Sequence, residues 1–173
     1  DDDDQLWQGA LQMLLQLAED NRADIVRGGS ELLHQRPDGT FAEQAHPAGQ
    51  PCTIEIGKGG YGAFLENSGP QFAWNALYRR TALLGLRFNE KCSHGLEDFV
   101  FNAAAYRRIG KAVYTPQVVY RHFEGAQSTS CSRTAQALLG RIRALEPWME
   151  AEYHAAQRWC TADELPAVWN ARR

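Results

Sequence analysis

Ala23-Asp24-Ile25-Val26-Arg27-Gly28-Gly29 is a short run of strand-forming residues closed by two glycines, and its reading as a β-strand decides the fold class. Just before it, Leu6, Trp7, Ala10, Leu11, Leu14, Leu15 and Ala18 recur at helical spacing, with Gln8, Gln12, Gln16 and Glu19 on the other face. That period predicts an amphipathic helix over about residues 6–20, ended at Asn21-Arg22. Helix then strand is repeated downstream. Residues 31–35 and 40–43 flank Arg36-Pro37-Asp38-Gly39, where Pro presets φ and Gly accepts φ > 0, and together they read as a hairpin. A strand is expected at 72–78, a helical turn or two at 80–84 stopped by Gly85, and a helix from Glu97 to the stop at Gly110. Strands at 111–114 and 117–122 follow, broken by Pro116. Ala135, Leu138, Leu139, Ile142, Leu145 and Trp148-Met149 then mark a long amphipathic helix, interrupted at Pro147 and continued at 153–159. The sum is an α/β domain with a mixed sheet flanked by helices, a β-hairpin excursion and a C-terminal helical segment. Its strands are too few for a complete doubly wound domain.

The 173 residues, 44% apolar and 23% charged, suffice for one domain with a sizeable core. No window approaches the roughly 18 apolar residues of a spanning helix. The chain opens at Asp1-Asp2-Asp3-Asp4, without an initiator Met or a signal peptide, as expected of a fragment or a processed product. A net charge of -3 argues against nucleic acid as a partner; Arg79-Arg80, Arg107-Arg108 and Arg172-Arg173 fit solvated helix faces or termini. Cys52, Cys92, Cys131 and Cys160 are too far apart for CxxC or paired zinc knuckles and read as reduced thiols of a cytosolic protein. Cys92-Ser93-His94 sets a nucleophile two residues from a base, a spacing that seldom converges.

Residues 44–70 read as irregular. Within them Gly57-Lys58-Gly59-Gly60-Tyr61-Gly62 satisfies G-x-G-x-x-G after a possible strand at 53–56. A dinucleotide site would also require a parallel β-α-β unit and an acidic residue about twenty positions on, where Trp74-Asn75-Ala76-Leu77-Tyr78-Arg79 stands instead. The stretch is expected to be a flexible loop, with Lys58 a candidate to close over an anionic ligand.

Gly95-Leu96-Glu97-Asp98-Phe99-Val100-Phe101 places two carboxylates between apolar residues at a helix start. They can be caps, since unpaired N–H groups and the positive end of the dipole lie there. They can equally include a general base whose pKa is set by its surroundings. The local residues leave both open.

Several separated segments together resemble a known family. Asp1-Asp2-Asp3-Asp4 ahead of a helix looks like the D-x-D-D segment of family 2 glycosyltransferases. Trp74-Asn75-Ala76-Leu77-Tyr78-Arg79 and Gly85-Leu86-Arg87-Phe88 resemble their W-N-x-L-Y-R and G-[IL]-x-F elements, Glu97-Asp98 their E-D motif, and Tyr120-Arg121-His122 with Ser128-Thr129-Ser130 the close of their catalytic domain. The likeness spans about residues 1–130, leaving 131–173 as the C-terminal helical segment packing on or following it. It implies a partial GT-A fold and inverting transfer of a sugar from a nucleotide-diphospho-sugar, a UDP-sugar above all, to a carbohydrate or lipid-linked sugar acceptor in cell-envelope polysaccharide or glycoconjugate synthesis. Asp1 and Asp3 would hold Mg²⁺ or Mn²⁺, and Asp98 would be the general base with Glu97 beside it. Arg121 and His122 would approach the diphosphate, and Trp74 and Asn75 would shape the sugar or acceptor pocket. The first half of such a domain, which holds the nucleotide base, precedes the D-x-D, so the 173 residues alone are expected to be inactive. Gln157-Arg158-Trp159 is not the spaced Q-x-x-R-W of processive synthases, which favours a non-processive enzyme, cytoplasmic, with attachment at the inner face of the membrane as an option. The alternative reading is a non-catalytic α/β binding or scaffold module whose acidic motifs are helix caps; a nucleotide-binding oxidoreductase using residues 57–62 is a third.

Overall fold

The computed structural model describes residues 4–44, 49–68, 72–92, 95–125 and 132–170. In chain order the elements are β1 (Gln5–Leu6), α1 (Ala10–Asn21), β2 (Ile25–Gln35), β3 (Phe41–Gln44), β4 (Cys52–Glu55), α2 (Tyr61–Asn67), β5 (Ala76–Tyr78), α3 (Arg80–Leu83), α4 (Glu97–Tyr106), β6 (Lys111–Glu124), α5 (Ala135–Trp159) and α6 (Leu165–Asn170). The chain is α/β, with a mixed, open six-stranded sheet. Its centre is the parallel pair β2 and β6. Each takes two short antiparallel strands: β6 pairs with β4 at Lys111–Tyr114 and with β1 at Tyr120 and Arg121. β2 pairs with β5 over Ile25–Arg27 and with β3 over Leu32–Gln35.

The strand beginning at Ile25 does not end at Gly28-Gly29, as expected, but runs to Gln35. The glycines permit a close approach. A Cβ on Gly28 would lie 2.4 Å from Val119 Cγ1, and one on Gly29 2.6 Å from the Pro116 carbonyl oxygen. Nor does Pro116 break β6. The register passes from Arg27 opposite Tyr114 to Gly29 opposite Val118, so the proline lies in a bulge, where no ladder donor is required.

Three further expectations change. The first helix starts at Ala10, because Gln5 and Leu6 pair with β6 instead. The irregular stretch 44–70 contains β4 and α2, whose Tyr61, Phe64 and Leu65 are buried. The short apolar spacing there fits a helix of only 7 residues, too brief to show a period. Pro147 leaves α5 uninterrupted over 25 residues; the carbonyl that loses its helical donor is that of exposed Arg143, within reach of water.

The main core joins Ile25, Ile54, Tyr61, Phe64, Tyr106 and Ile109 to Ala155, Ala156 and Trp159 of α5. Residues after 131 therefore help to build the core over which the sheet lies. A second cluster, with Leu14, Val26 and Val119, seals α1 to the other side. Among the described residues no helix is long and apolar enough to cross a membrane.

Candidate functional site

Asp98 enters the site through an unusual helix start. Gly95 (φ 124°) and Leu96 (φ 67°) both lie in the left-handed region, which costs an ordinary residue such as leucine about 1–2 kcal/mol. Leu96 is the N-cap of α4 and makes no side-chain cap bond. Glu97 and Asp98 occupy the first turn, where the dipole favours negative charge. Asp98, however, accepts its backbone hydrogen bond from Ala73, in a different segment. Burial first, and then the charge of Glu97, push the Asp98 carboxyl above the usual carboxylate range, against the Ala73 N–H and Arg27. Glu97 Oε2 is buried without a hydrogen-bond partner among the described residues. Burial, followed by Glu97, also raises the Cys92 thiol. Asp98 thus takes its hydrogen bond from outside its own helix, while both carboxylates keep the favourable place in its first turn.

The Ala73 segment leads to the second group. Trp74 stacks at 4.5 Å on Phe72 and at 4.5 Å on Tyr120, with His122 at 5.5 Å. Tyr120 and His122 are two apart on β6 and so share a face. Both reach Asp4, whose side chain is only 2% exposed. The Tyr120 hydroxyl donates to Asp4 Oδ2 at 2.8 Å, the Phe123 N–H donates to Oδ1 at 3.0 Å, and His122 Nδ1 lies 2.9 Å from Oδ1. Burial acts to raise this carboxyl, but the bonds from His122, Phe123 and Tyr120 outweigh it and hold it below the usual range. Asp4 thus reaches the Tyr120 and His122 side chains that lie against Trp74, and Asp98 reaches the backbone N–H of the residue before Trp74.

Asp1 and Asp3, the expected metal ligands, lie outside the described residues, as do Ser93, His94, Cys131 and the serines at 128 and 130. Among the described residues no group of three His, Cys, Asp or Glu converges. Asp4 accepts from three protein donors, so its role is to anchor the chain beside Asp3.

Arg121 and His122, expected to share a task, point to opposite faces of β6. Arg121 Nε donates to Glu31 Oε2 at 2.8 Å and its guanidinium lies 4.8 Å above Trp7. An open cleft of about 170 Å³ is lined there by Gln5, Leu6, Trp7, Gln8 and Arg121. Asn75, expected in the pocket wall, is 2% exposed. Its Oδ1 accepts from Arg27 and its Nδ2 donates to Gly28 O at 2.9 Å, so it positions Trp74 and does not face a ligand.

Lys58 is not brought to this group. It pairs with Glu55, which also meets Lys111 Nζ at 2.7 Å; Lys111, then Lys58, hold the Glu55 carboxyl down at about 2. Lys111 opens β6 and His122 lies near its end, roughly 36 Å along the strand at about 3.3 Å per residue. The glycine loop is also pinned, since the Gly60 N–H donates to Glu164 Oε1 at 2.8 Å. The expectation of a flexible loop gives way to a tethered one.

Trp7, Glu31 and Arg27 had not been singled out from the sequence. Arg27 could have been: one arginine inside Ile25-Val26-Arg27-Gly28 is wholly buried and must be partnered. Comparison with known proteins finds no family model that matches the chain, and no curated protein that does.

Proposed function

We propose that the chain is the acceptor-side part of an inverting glycosyltransferase of GT-A type, resembling family 2, with Asp98 as general base. The observation that carries this reading is that two carboxylates far apart in sequence, Asp4 and Asp98, both reach the segment around the Phe72–Trp74–Tyr120–His122 rings. Sugar transfer with inversion needs one base, to take the proton of the acceptor hydroxyl as it attacks the anomeric carbon. No second carboxylic acid is required, because a departing nucleoside diphosphate is a stable anion.

Each residue then has a task. Asp98 is held by the Ala73 N–H and by its place in the first turn of α4. Its raised pKa makes it a stronger base than an ordinary carboxylate once it is ionised. Glu97 stands beside it with one oxygen uncommitted among the described residues, suited to orient an acceptor hydroxyl. The edge of Trp74, on the face of β6 that carries Tyr120 and His122, offers the amphipathic surface a sugar or lipid-linked sugar needs. The cleft beside Trp7 and Arg121 lies on the other face of β6, so His122 and not Arg121 is on the side of Trp74. A divalent cation, Mg²⁺ or Mn²⁺, would be held by Asp1 and Asp3 and would supply neutralisation of the leaving diphosphate. Asp4 fixes the chain at the next residue.

The test is Asp98→Asn in the full-length polypeptide, assayed with nucleotide-sugar donors and Mn²⁺. Transfer is expected to fall roughly 10²–10⁴-fold. A rate near wild type would remove Asp98 from the role of base.

A further inference from the structure

Arg27 lies on β2 at 0% exposure, between the core residues Ile25 and Val26 and the two glycines of the close approach. Its Nη2 donates at 2.8 Å to the Phe72 carbonyl and at 2.8 Å to Asn75 Oδ1. Asn75 is itself tied to the same strand: Nδ2 donates to Gly28 O at 2.9 Å, and the Gly28 N–H donates to Asn75 O at 2.9 Å. One guanidinium nitrogen therefore fixes both ends of the segment 72–75. Inside that segment are Ala73, whose N–H reaches Asp98, and Trp74, stacked against the rings that hold Asp4.

We propose that Arg27 is a positioning residue for the base: by clamping Phe72 and Asn75 it sets the place of the Asp98 carboxylate relative to the Asp4–His122 end of the aromatic stack. This rests on the reading of Asp98 as the base. Both bonds come from Nη2, held at the end of arginine's rigid planar guanidinium, whereas lysine carries its ammonium on a shorter, flexible stem. A buried charge also calls for polar surroundings, and the Tyr78 and Tyr106 phenols both lie near enough to feel the charge of Arg27. Tyr78 passes the network on, its hydroxyl donating to Asn102 Oδ1 at 2.6 Å. Asp98 is thus faced by Glu97 from its own helix, Arg27 from β2 and Tyr78 from β5, with Glu152 of α5 acting on Tyr106 behind them. Of these charges Arg27 alone is positive, and it opposes the effects of burial and of Glu97 on Asp98.

The test compares Arg27→Met, Arg27→Lys and Asn75→Ala with Asp98→Asn in the full-length polypeptide. Two readouts are independent of turnover: exchange of the Ala73 amide proton, and the carbon-13 titration of the Asp98 carboxyl. Arg27→Met should speed Ala73 exchange, move the Asp98 titration upward and lower kcat roughly 10²-fold with KM little changed, and the acid limb of the pH–rate profile should move up with the titration. Arg27→Lys keeps the charge but not the placed Nη2 donor, so its Asp98 titration should stay near wild type while Ala73 exchange quickens and kcat falls. Should Arg27→Met fail to fold, Arg27→Lys and Asn75→Ala carry the test. A folded Arg27→Lys or Asn75→Ala whose Ala73 exchange matches wild type overturns the proposal. If the spectra move but Asp98→Asn transfers sugar at full rate, the clamp stands and the assignment of the base is what has failed.

Discussion

As the proposed base, Asp98 would have to be charged to accept a proton, yet burial and Glu97 favour its neutral form, so the proposed role and stability pull apart at this residue. A carboxyl whose pKa is raised by folding holds its proton more tightly in the native chain than in the unfolded one. Its contribution to stability is therefore complete below the unfolded pKa and is lost as pH rises through the folded one. Above the folded pKa the native state carries the full penalty. Asp98→Asn keeps an acceptor oxygen for the Ala73 N–H and removes the charge. It is expected to lower transfer roughly 10²–10⁴-fold and yet raise the urea midpoint at pH 7, with the gain shrinking toward zero as pH falls through the carboxylate range. An equal or lower midpoint at pH 7 would mean that the carboxylate's interactions with Ala73 and Arg27 outweigh its burial. For the active enzyme the same displacement puts the acid limb of kcat/KM above the pH at which an ordinary aspartate would titrate.

At the scale of the element, the β2–β6 pair depends on two glycines that the sequence alone read as an ending. Gly28 and Gly29 followed by Ser30 have weak strand preference, so local residues argued for a stop. What continues the strand is the partner β6, which presses Val119 and the Pro116 carbonyl against the bare Cα positions. The same limit explains Pro116 and Pro147, both tolerated for reasons of register and exposure that lie outside the local window. The helices at 10–21, 97–106 and 135–159 were legible in outline, because their apolar period is carried by many residues. Gly28→Ala puts its methyl against both Val119 methyls at once, at 2.4 and 2.5 Å, so no rotamer of Val119 relieves it. A loss of about 1–3 kcal/mol is expected in chemical denaturation, and Val119→Ala in the same chain should recover much of it. Lack of coupling between the two substitutions in a double-mutant cycle would show that the strands separate and do not clash.

In the whole molecule, the candidate site was legible as a set of motifs and not as an arrangement. Glu97-Asp98 and Tyr120-Arg121-His122 carried recognisable patterns, but nothing in their order could show that Arg121 and His122 part company, that Asn75 is a brace, or that Lys58 lies at the far end of β6. Those facts come from strand alternation and from contacts across long separations, such as Arg27 with Asn75 and Asp4 with His122. The C-terminal residues show the same dependence. Trp159, 1% exposed, stacks at 6.1 Å on Tyr61, meets Tyr106 edge-on at 6.2 Å, and donates from Nε1 to Tyr106 O at 3.0 Å. Through Tyr106 it supports α4, the helix whose first turn holds Asp98. Were α5 an appendage, Trp159→Ala would loosen it and leave the sheet's unfolding unchanged. Because its ring lies in the main core with Ile25 and Ile54, the substitution is expected to cost about 3–5 kcal/mol. The loss should fall on one cooperative transition, in which far-ultraviolet circular dichroism and the fluorescence of the remaining tryptophans change together. Two separated transitions, the later one at the wild-type midpoint, would instead make residues 135–159 an independent unit and leave α4 and its carboxylates to be held by the sheet alone.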